Sequence, residues 1–365
     1  MGDSSSSATA AVLLTVLQES TGRLATILFA HRFGQAIEPE CKRYRFLADV
    51  LNDGALALDV LSPVIFSSAA LSSSASSPSP DAAAAPFHHA YQYYGRALAL
   101  CASGVLRALC GVAAGAAKAS LSAHFARGGG GGNLAELNAK DGSQETVISL
   151  LGMLAGSLFV RAVRGDAAVW VSMAALIAVH LATNYAAVRA VRLRSLNRQR
   201  AQLVLRHYLA ARGAVLHPAA AAARERVLSW RPPAVRFATA FPGSREIDPR
   251  DLARYRGERY VIVARRGGTR KIFLKEGATS RDALAAWFEA LILCGEGDVS
   301  SGDGKGKKKE GAAAVVAAAA REEERERKIR DLKSDGDFWK AMASAGWDLD
   351  AGALETGPAV RIRVE

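Results

Sequence analysis

The chain has 365 residues, half of them hydrophobic and 22% charged. That length and composition fit about two domains with cores of their own, and they exclude a wholly disordered chain or a disulfide-stapled miniprotein. Lys and Arg outnumber Asp and Glu by 47 to 35, and the net charge of +12 favours an anionic partner such as lipid headgroups or nucleic acid.

The cysteines, Cys41, Cys101, Cys110 and Cys294, show no CxxC or zinc spacing, so neither a disulfide framework nor a structural metal is expected. A reducing, intracellular compartment is the default. No Lys or Arg precedes Arg23, so the basic start of a signal peptide is missing, while Met1, Gly2 and Ser6 fit the short and common myristoylation pattern.

Apolar spacing predicts a first helix over 9–37, ended around Pro39, and a second over 44–61, limited by Pro63. In the second, Leu47, Leu51, Leu58 and Leu61 form an apolar stripe, and Asp49, Asn52 and Asp53 share another face. Residues 67–86 are Ser, Ala and Pro with one charge and read as a flexible insertion. A helix over 91–125 follows, with Gly111 and Gly115 spaced as GxxxG for close helix approach, and the Gly128–Gly132 run ends it. Asp141 and Gln144 resemble a capping box that opens the next helix, which carries a second GxxxG at Gly152 and Gly156.

Residues 167–188 carry no charge, and about 22 residues at 1.5 Å each would span a ~30 Å hydrocarbon layer. Immediately after come Arg189, Arg192, Arg194, Arg198, Arg200, Arg206 and Arg212, with no acidic residue between Asp166 and Glu225. The block fits a cytosolic flank under the positive-inside rule, and its alternative is a buried helix followed by a solvated amphipathic one. Beyond Pro218, residues 259–265 and 271–275 predict a hairpin, 280–293 a helix capped by Ser280, and 295–312 a linker. A charge-laced helix over 313–333, with Glu323–Arg327 and Glu324–Lys328 at i, i+4, and a strand within 359–364 complete the chain.

Several strings resemble the root UVB-sensitive (RUS) family: Arg45 to Asp53 (RFLADVLND), Leu61-Ser62-Pro63, and Gly111 to Gly115 through His124-Phe125-Ala126. Asn138 to Asp141, Ser143 to Thr146, Leu151-Gly152, His180, Asn184-Tyr185 and Leu196 to Arg200 continue the resemblance in order. It covers 45–212, with a looser echo at 258–293 and Gly346-Trp347. The Leu-Pro-x-Gly-Tyr-Pro segment that usually precedes this core is absent, and the insertion splits it. The resemblance implies a role in vitamin B6 photoprotection and homeostasis, UV-B responses and seedling development in plants, membrane helices, and complexes with other family members. It carries over no catalytic residues.

Oxygen ligands at Asp49, Asn52 and Asp53 would suit a cation or polar ligand, or else form a polar seam between helices. Lys140 and Asp141 with Ser143, Gln144 and His124 could form a polar pocket, and a lysine could hold a pyridoxal aldehyde as a Schiff base, but capping by Asp141 explains the same residues. His180 reads as a hydrogen-bonded interior histidine or a functional one. Nothing matches GxSxG, HExxH, a P-loop or a dinucleotide fingerprint.

The expected architecture is mostly α. A closely packed helical domain at 9–212, able to embed in a membrane, precedes an α+β module at 225–294, the linker, and a helical tail at 313–365 ending in a short strand. The expected function is non-enzymatic binding of a ligand or partner at a membrane, with a transporter and a soluble scaffold as alternatives. Asp49, Asn52, Asp53, His124, Lys140, Asp141, Ser143, Gln144, Asn184, Tyr185 and Asn197 are the candidate site residues. Arg189, Arg192, Arg194, Arg198 and Arg200 are expected to meet anionic lipid or a partner. No cofactor is expected beyond a vitamin B6 species as ligand. Lipid and another RUS protein are the expected partners, and nucleic acid is not, because aromatic residues do not interleave the basic block.

Overall fold

The computed structural model describes residues 8–66, 85–128, 133–211, 213–228, 234–243, 246–265, 269–295, 312–334, 336–358 and 360–363. Most of the expected insertion, the body of the linker and the hairpin turn at 266–268 lie outside them. The chain divides into two compact units, Met1–Val188 and Arg189–Glu365.

The first unit is helical: α1 (Ala8–Ile37), α2 (Cys41–Ile65), α3 (Ala85–Gly128), α4 (Leu134–Ala162) and α5 (Asp166–Ala190). Small residues let α1 and α3 approach, since a Cβ on Gly104 would lie 2.8 Å from Gln18 Cγ and one on Gly22 would lie 3.5 Å from the Gly104 carbonyl. Ala113 and Ala117 of α3 are fully buried. The two GxxxG pairs do not make this contact, because a Cβ at Gly111, Gly115, Gly152 or Gly156 would meet nothing within 4 Å. Spacing alone names a face that permits close approach without fixing which helix fills it.

Pro63 does not stop α2. It removes the N–H that would bond the Asp59 carbonyl, and the buried Ser62 hydroxyl donates to that carbonyl at 3.3 Å instead. The opening of α4 also differs from expectation. Asn133 is its cap, accepting from the Ala135 N–H at 3.0 Å, and Asp141 lies two turns inside the helix.

In the second unit, β3 (Arg270–Lys275) is the spine of a small sheet. β2 (Tyr260–Ala264) pairs antiparallel to it as the expected hairpin, while β1 (Val235–Phe237) and β4 (Arg361–Ile362) pair in parallel. Around the sheet lie α6 (Arg198–Ala210), α7 (Pro218–Arg224), α8 (Pro249–Arg254), α9 (Ser280–Cys294), α10 (Ala312–Ser334) and α11 (Gly336–Ser344). Val261, Ile272, Phe273, Ala286 and Phe288 are buried at its centre, and Trp287 stacks on Phe237 at 5.6 Å.

The α9 cap is Thr279 rather than Ser280. Its side chain accepts from the Asp282 N–H and Asp282 answers on the Thr279 N–H, whereas the Ser280 hydroxyl donates to the Asp350 carbonyl. Ala201, Val204 and Leu205 of α6 join the sheet's core, and the second compact unit begins at Arg189, whereas the helical domain is expected to run to residue 212.

One buried charge organises this unit. Glu289, 2% exposed, accepts from the hydroxyls of Tyr255 at 2.9 Å and Tyr260 at 2.7 Å, and pairs with Lys333 at 2.8 Å. Burial, then Glu289, pushes both tyrosine hydroxyls well up. Burial pulls the Lys333 ammonium down, but Glu258 and Glu289 outweigh it and raise it. Groups raised in the fold stabilise it fully below their unfolded pKa and cease to as pH climbs through the folded value. Melts of the second unit's transition should therefore hold up to about pH 10 and fall above it. Glu289→Ala leaves two buried tyrosine hydroxyls without their acceptor and the Lys333 ammonium with Glu258 alone, and should cost about 3–5 kcal/mol in a denaturant titration.

Candidate functional site

The polar residues of the first unit gather on α2. Asp49 and Asp53, one helical turn apart, share a face and are each 7% exposed. Arg45, one turn before Asp49, donates from Nη1 to its Oδ1 at 2.5 Å. Oδ2 of Asp49 is buried with no hydrogen-bond partner. Nδ1 of His180, on α5, lies 2.8 Å from Oδ2 of Asp53. Further along α2, Asp59 pairs with Arg107 of α3, which also donates to the Ser103 hydroxyl, and that hydroxyl donates to the Ala55 carbonyl at 3.2 Å. The three helices thus enclose one line of charge.

His180 is held from its own helix as well. Asn184 donates to the His180 carbonyl at 2.9 Å, and the Tyr185 ring meets Phe46 of α2 edge-on at 5.4 Å. Asp49, Asp53, Asn184 and Tyr185 of the expected set therefore come together here. Asn52 is exposed.

The remaining candidates sit elsewhere. Asp141 pairs with Lys118 of α3 at 2.8 Å, and Lys140 pairs with Glu136 at 2.6 Å on the exposed surface of α4. Ser143 and Gln144 are exposed, and His124 is half-buried beside Phe125. A Schiff-base role for Lys140 has no enclosing pocket to support it. Asn197 is buried in the second unit as the cap of α6, accepting from the Arg200 N–H at 2.8 Å. Among the described residues, no group of three or more His, Cys, Asp and Glu side chains could hold a metal ion.

The arginine block is corrected in part. Arg200 is 1% exposed, pairs with Glu225 at 2.7 Å and donates to the Ser195 carbonyl, so it cannot reach a lipid. Arg198 donates to the Leu354 carbonyl and lies over the Trp287 ring. Arg194 donates to the Gly346 carbonyl and Arg189 to that of Ala223, though both side chains remain largely exposed, as does Arg192. Sequence reasoning passed over Arg45, Asp59 and Arg107 as site residues. A lone arginine in the apolar stretch of α3 was the available signal, since such a charge needs a partner.

Among the described residues, four helical segments are long and apolar enough to cross a membrane: Val12–Ile37, Tyr94–Arg127, Leu134–Ala162 and Asp166–Ala190. Their apolar side chains face outward, with Leu13, Leu28, Leu98, Ile148, Val160 and Val171 among the exposed ones.

A family model described as "Vitamin B6 photo-protection and homoeostasis domain" matches residues 1–212. "Protein root UVB sensitive 3" of Arabidopsis thaliana is 28% identical over 312 residues, 80% of this chain and 64% of that protein. "RUS family member 1" of Dictyostelium discoideum is 32% identical over 231 residues, 62% of this chain and 38% of that protein. The chain thus spans less than two thirds of either relative, and no solved structure matches it.

The Arg200 geometry separates a structural role from a lipid contact. Arg200→Ala should destabilise the second unit by about 3–5 kcal/mol, because it takes the buried guanidinium away from the buried Glu225 carboxylate. Binding of the folded variant to anionic vesicles, read by co-sedimentation, should be unchanged.

Proposed function

The chain belongs to the vitamin B6 photo-protection and homoeostasis family, the RUS family, and from that premise we propose that it is a membrane-embedded, non-catalytic protein of vitamin B6 homeostasis. It acts by binding a ligand or a partner in its helical unit. The observation that carries this reading is the outward apolar surface of the first unit. Residues 134–162 form a helix about 43 Å long with no buried residue, and a surface of that kind is stable only where something other than water covers it. A bilayer of an intracellular membrane supplies that cover.

A second reading, a small-molecule carrier, is favoured by one specific observation: the Asp53–His180 pair joins an ionisable side chain of a candidate span to a buried carboxylate. Ionisable groups in such positions line the paths of transported species. The exposed guanidiniums of Arg189, in the last turn of α5, and of Arg192 and Arg194 just after it suit anionic headgroups under the positive-inside rule. The family premise also makes another RUS protein the partner of choice.

Two measurements on the full-length chain test the proposal. After alkaline carbonate extraction the protein should stay in the membrane pellet. In equilibrium dialysis, proteoliposomes should retain at least one of pyridoxal, pyridoxamine, pyridoxine or their phosphates saturably, or co-purify stoichiometrically with another RUS protein. Recovery in the soluble fraction contradicts the membrane reading, and absence of both ligand and partner contradicts the binding reading.

A further inference from the structure

The charges along the seam do not balance by themselves. α2 contributes Asp49, Asp53 and Asp59, against which stand Arg45 from α2 and Arg107 from α3. The other titratable groups facing them are His180 from α5 and the Cys110 thiol of α3, which lies within electrostatic reach of Asp49, Asp53 and Arg45. With the imidazole neutral the seam holds one surplus negative charge, and with an imidazolium it is neutral. A surplus charge is expensive in a water-poor interior, so the seam calls for one positive charge from some source.

Two buried carboxylate oxygens of the seam accept nothing, Oδ1 of Asp59, whose side chain is 25% exposed, and Oδ2 of Asp49, whose side chain is the more buried. Of the Asp49 oxygens, Oδ1 is taken by Arg45, while Oδ2 is buried and accepts nothing, on a side chain 9% exposed. A lone buried carboxylate oxygen left without a donor costs about 1–3 kcal/mol or more, and a donor on an incoming molecule would relieve it. A metal ion fits poorly, because hard cations take about six to eight oxygens and the described residues offer no three-ligand group. A single N–H⁺ fits well, since it brings one donor and one charge. The His180 imidazole, with its side chain 42% exposed, is one side on which the seam opens, and Arg107 is another.

We propose that Arg45, Asp49, Asp53 and His180 form a recognition site for one organic cation, a protonated amine or pyridinium, whose N–H⁺ donates to Oδ2 of Asp49 and competes with the proton on His180. Arg45 holds the Asp49 carboxylate in place, and Asp53 holds the imidazole. Because the seam accommodates one positive charge, binding of the cation expels the imidazolium proton, and the affinity rises with pH. The inference rests on the ligand-binding reading of the helical unit and not on the identity of the vitamin.

The test uses full-length protein in lipid nanodiscs and calorimetric titration with benzylamine, pyridoxamine and the uncharged isostere benzyl alcohol, between pH 5.5 and 7.5. The proposal expects benzylamine to bind, benzyl alcohol to bind at least about tenfold more weakly, and the amine's affinity to climb with pH. Asp49→Asn should weaken the amine at least about tenfold, and in His180→Gln the affinity that remains should no longer vary with pH. The comparison of amine with alcohol needs no variant and stands even if Asp49→Asn fails to fold. Benzylamine binding without pyridoxamine binding supports the cation site while counting against the vitamin reading. Absence of binding by both amines, equal binding of the alcohol, wild-type affinity in folded Asp49→Asn, or a wild-type affinity independent of pH overturns the proposal.

Discussion

On the membrane reading proposed above, the structure of the first unit depends on one constraint, the exclusion of water from the outward faces of α1, α3, α4 and α5. At about 25 cal/mol per Å² of apolar surface, the leucines, valines and isoleucines of these faces would weigh heavily against the fold in water. A hydrocarbon surround removes that cost and adds a demand of its own, that backbone and side-chain polar groups be satisfied within the protein. The detail of α2 fits this demand. Ser62 bonds the carbonyl that Pro63 leaves open, Ser103 reaches across to the Ala55 carbonyl, and the carboxylates find arginines or a histidine.

The same constraint concentrates chemistry. Where the surroundings cannot screen charge, an ion pair is strong and an unmatched charge is costly, so the balance along α2 decides what the unit can hold. In the second unit, Glu289 and Arg200 meet the same physics in a buried core, and there the hydrogen bonds they make close on the protein itself. Those are structural networks. Along the seam, by contrast, carboxylate oxygens of Asp49 and Asp59 are buried without a partner.

Much of the helical architecture was legible in the sequence because it rests on signals that act at short range. Apolar runs longer than a hydrocarbon layer, and the Gly and Pro residues that bound them, located α1, α3 and α5 to within a few residues, and the β2–β3 hairpin followed from its β-rich runs. The shared face of Asp49 and Asp53 followed from helical spacing. What failed depended on partners far away in the chain. The arginine block announced charge, but the carbonyls of Ala223, Gly346 and Leu354 that take Arg189, Arg194 and Arg198 are brought there only by folding. The glycine pairs announced a close approach that Gly22 and Gly104 make instead. Short elements such as β1, α8 and α11 carry too few residues for periodicity to register, and the packing of α9 and the sheet decides them.

The central claim is that lipid covers the outward faces of the helical unit, and cysteine accessibility tests it most directly. In a chain whose native cysteines are replaced by Ser, Leu151→Cys and Leu158→Cys, both exposed on α4, would be reconstituted in sealed vesicles and treated with a charged, membrane-impermeant maleimide. The account predicts no labelling at either position until the vesicles are dissolved and the protein denatured. Rapid labelling at both positions in intact vesicles would mean that water bathes this face, and the membrane reading of the fold would be wrong.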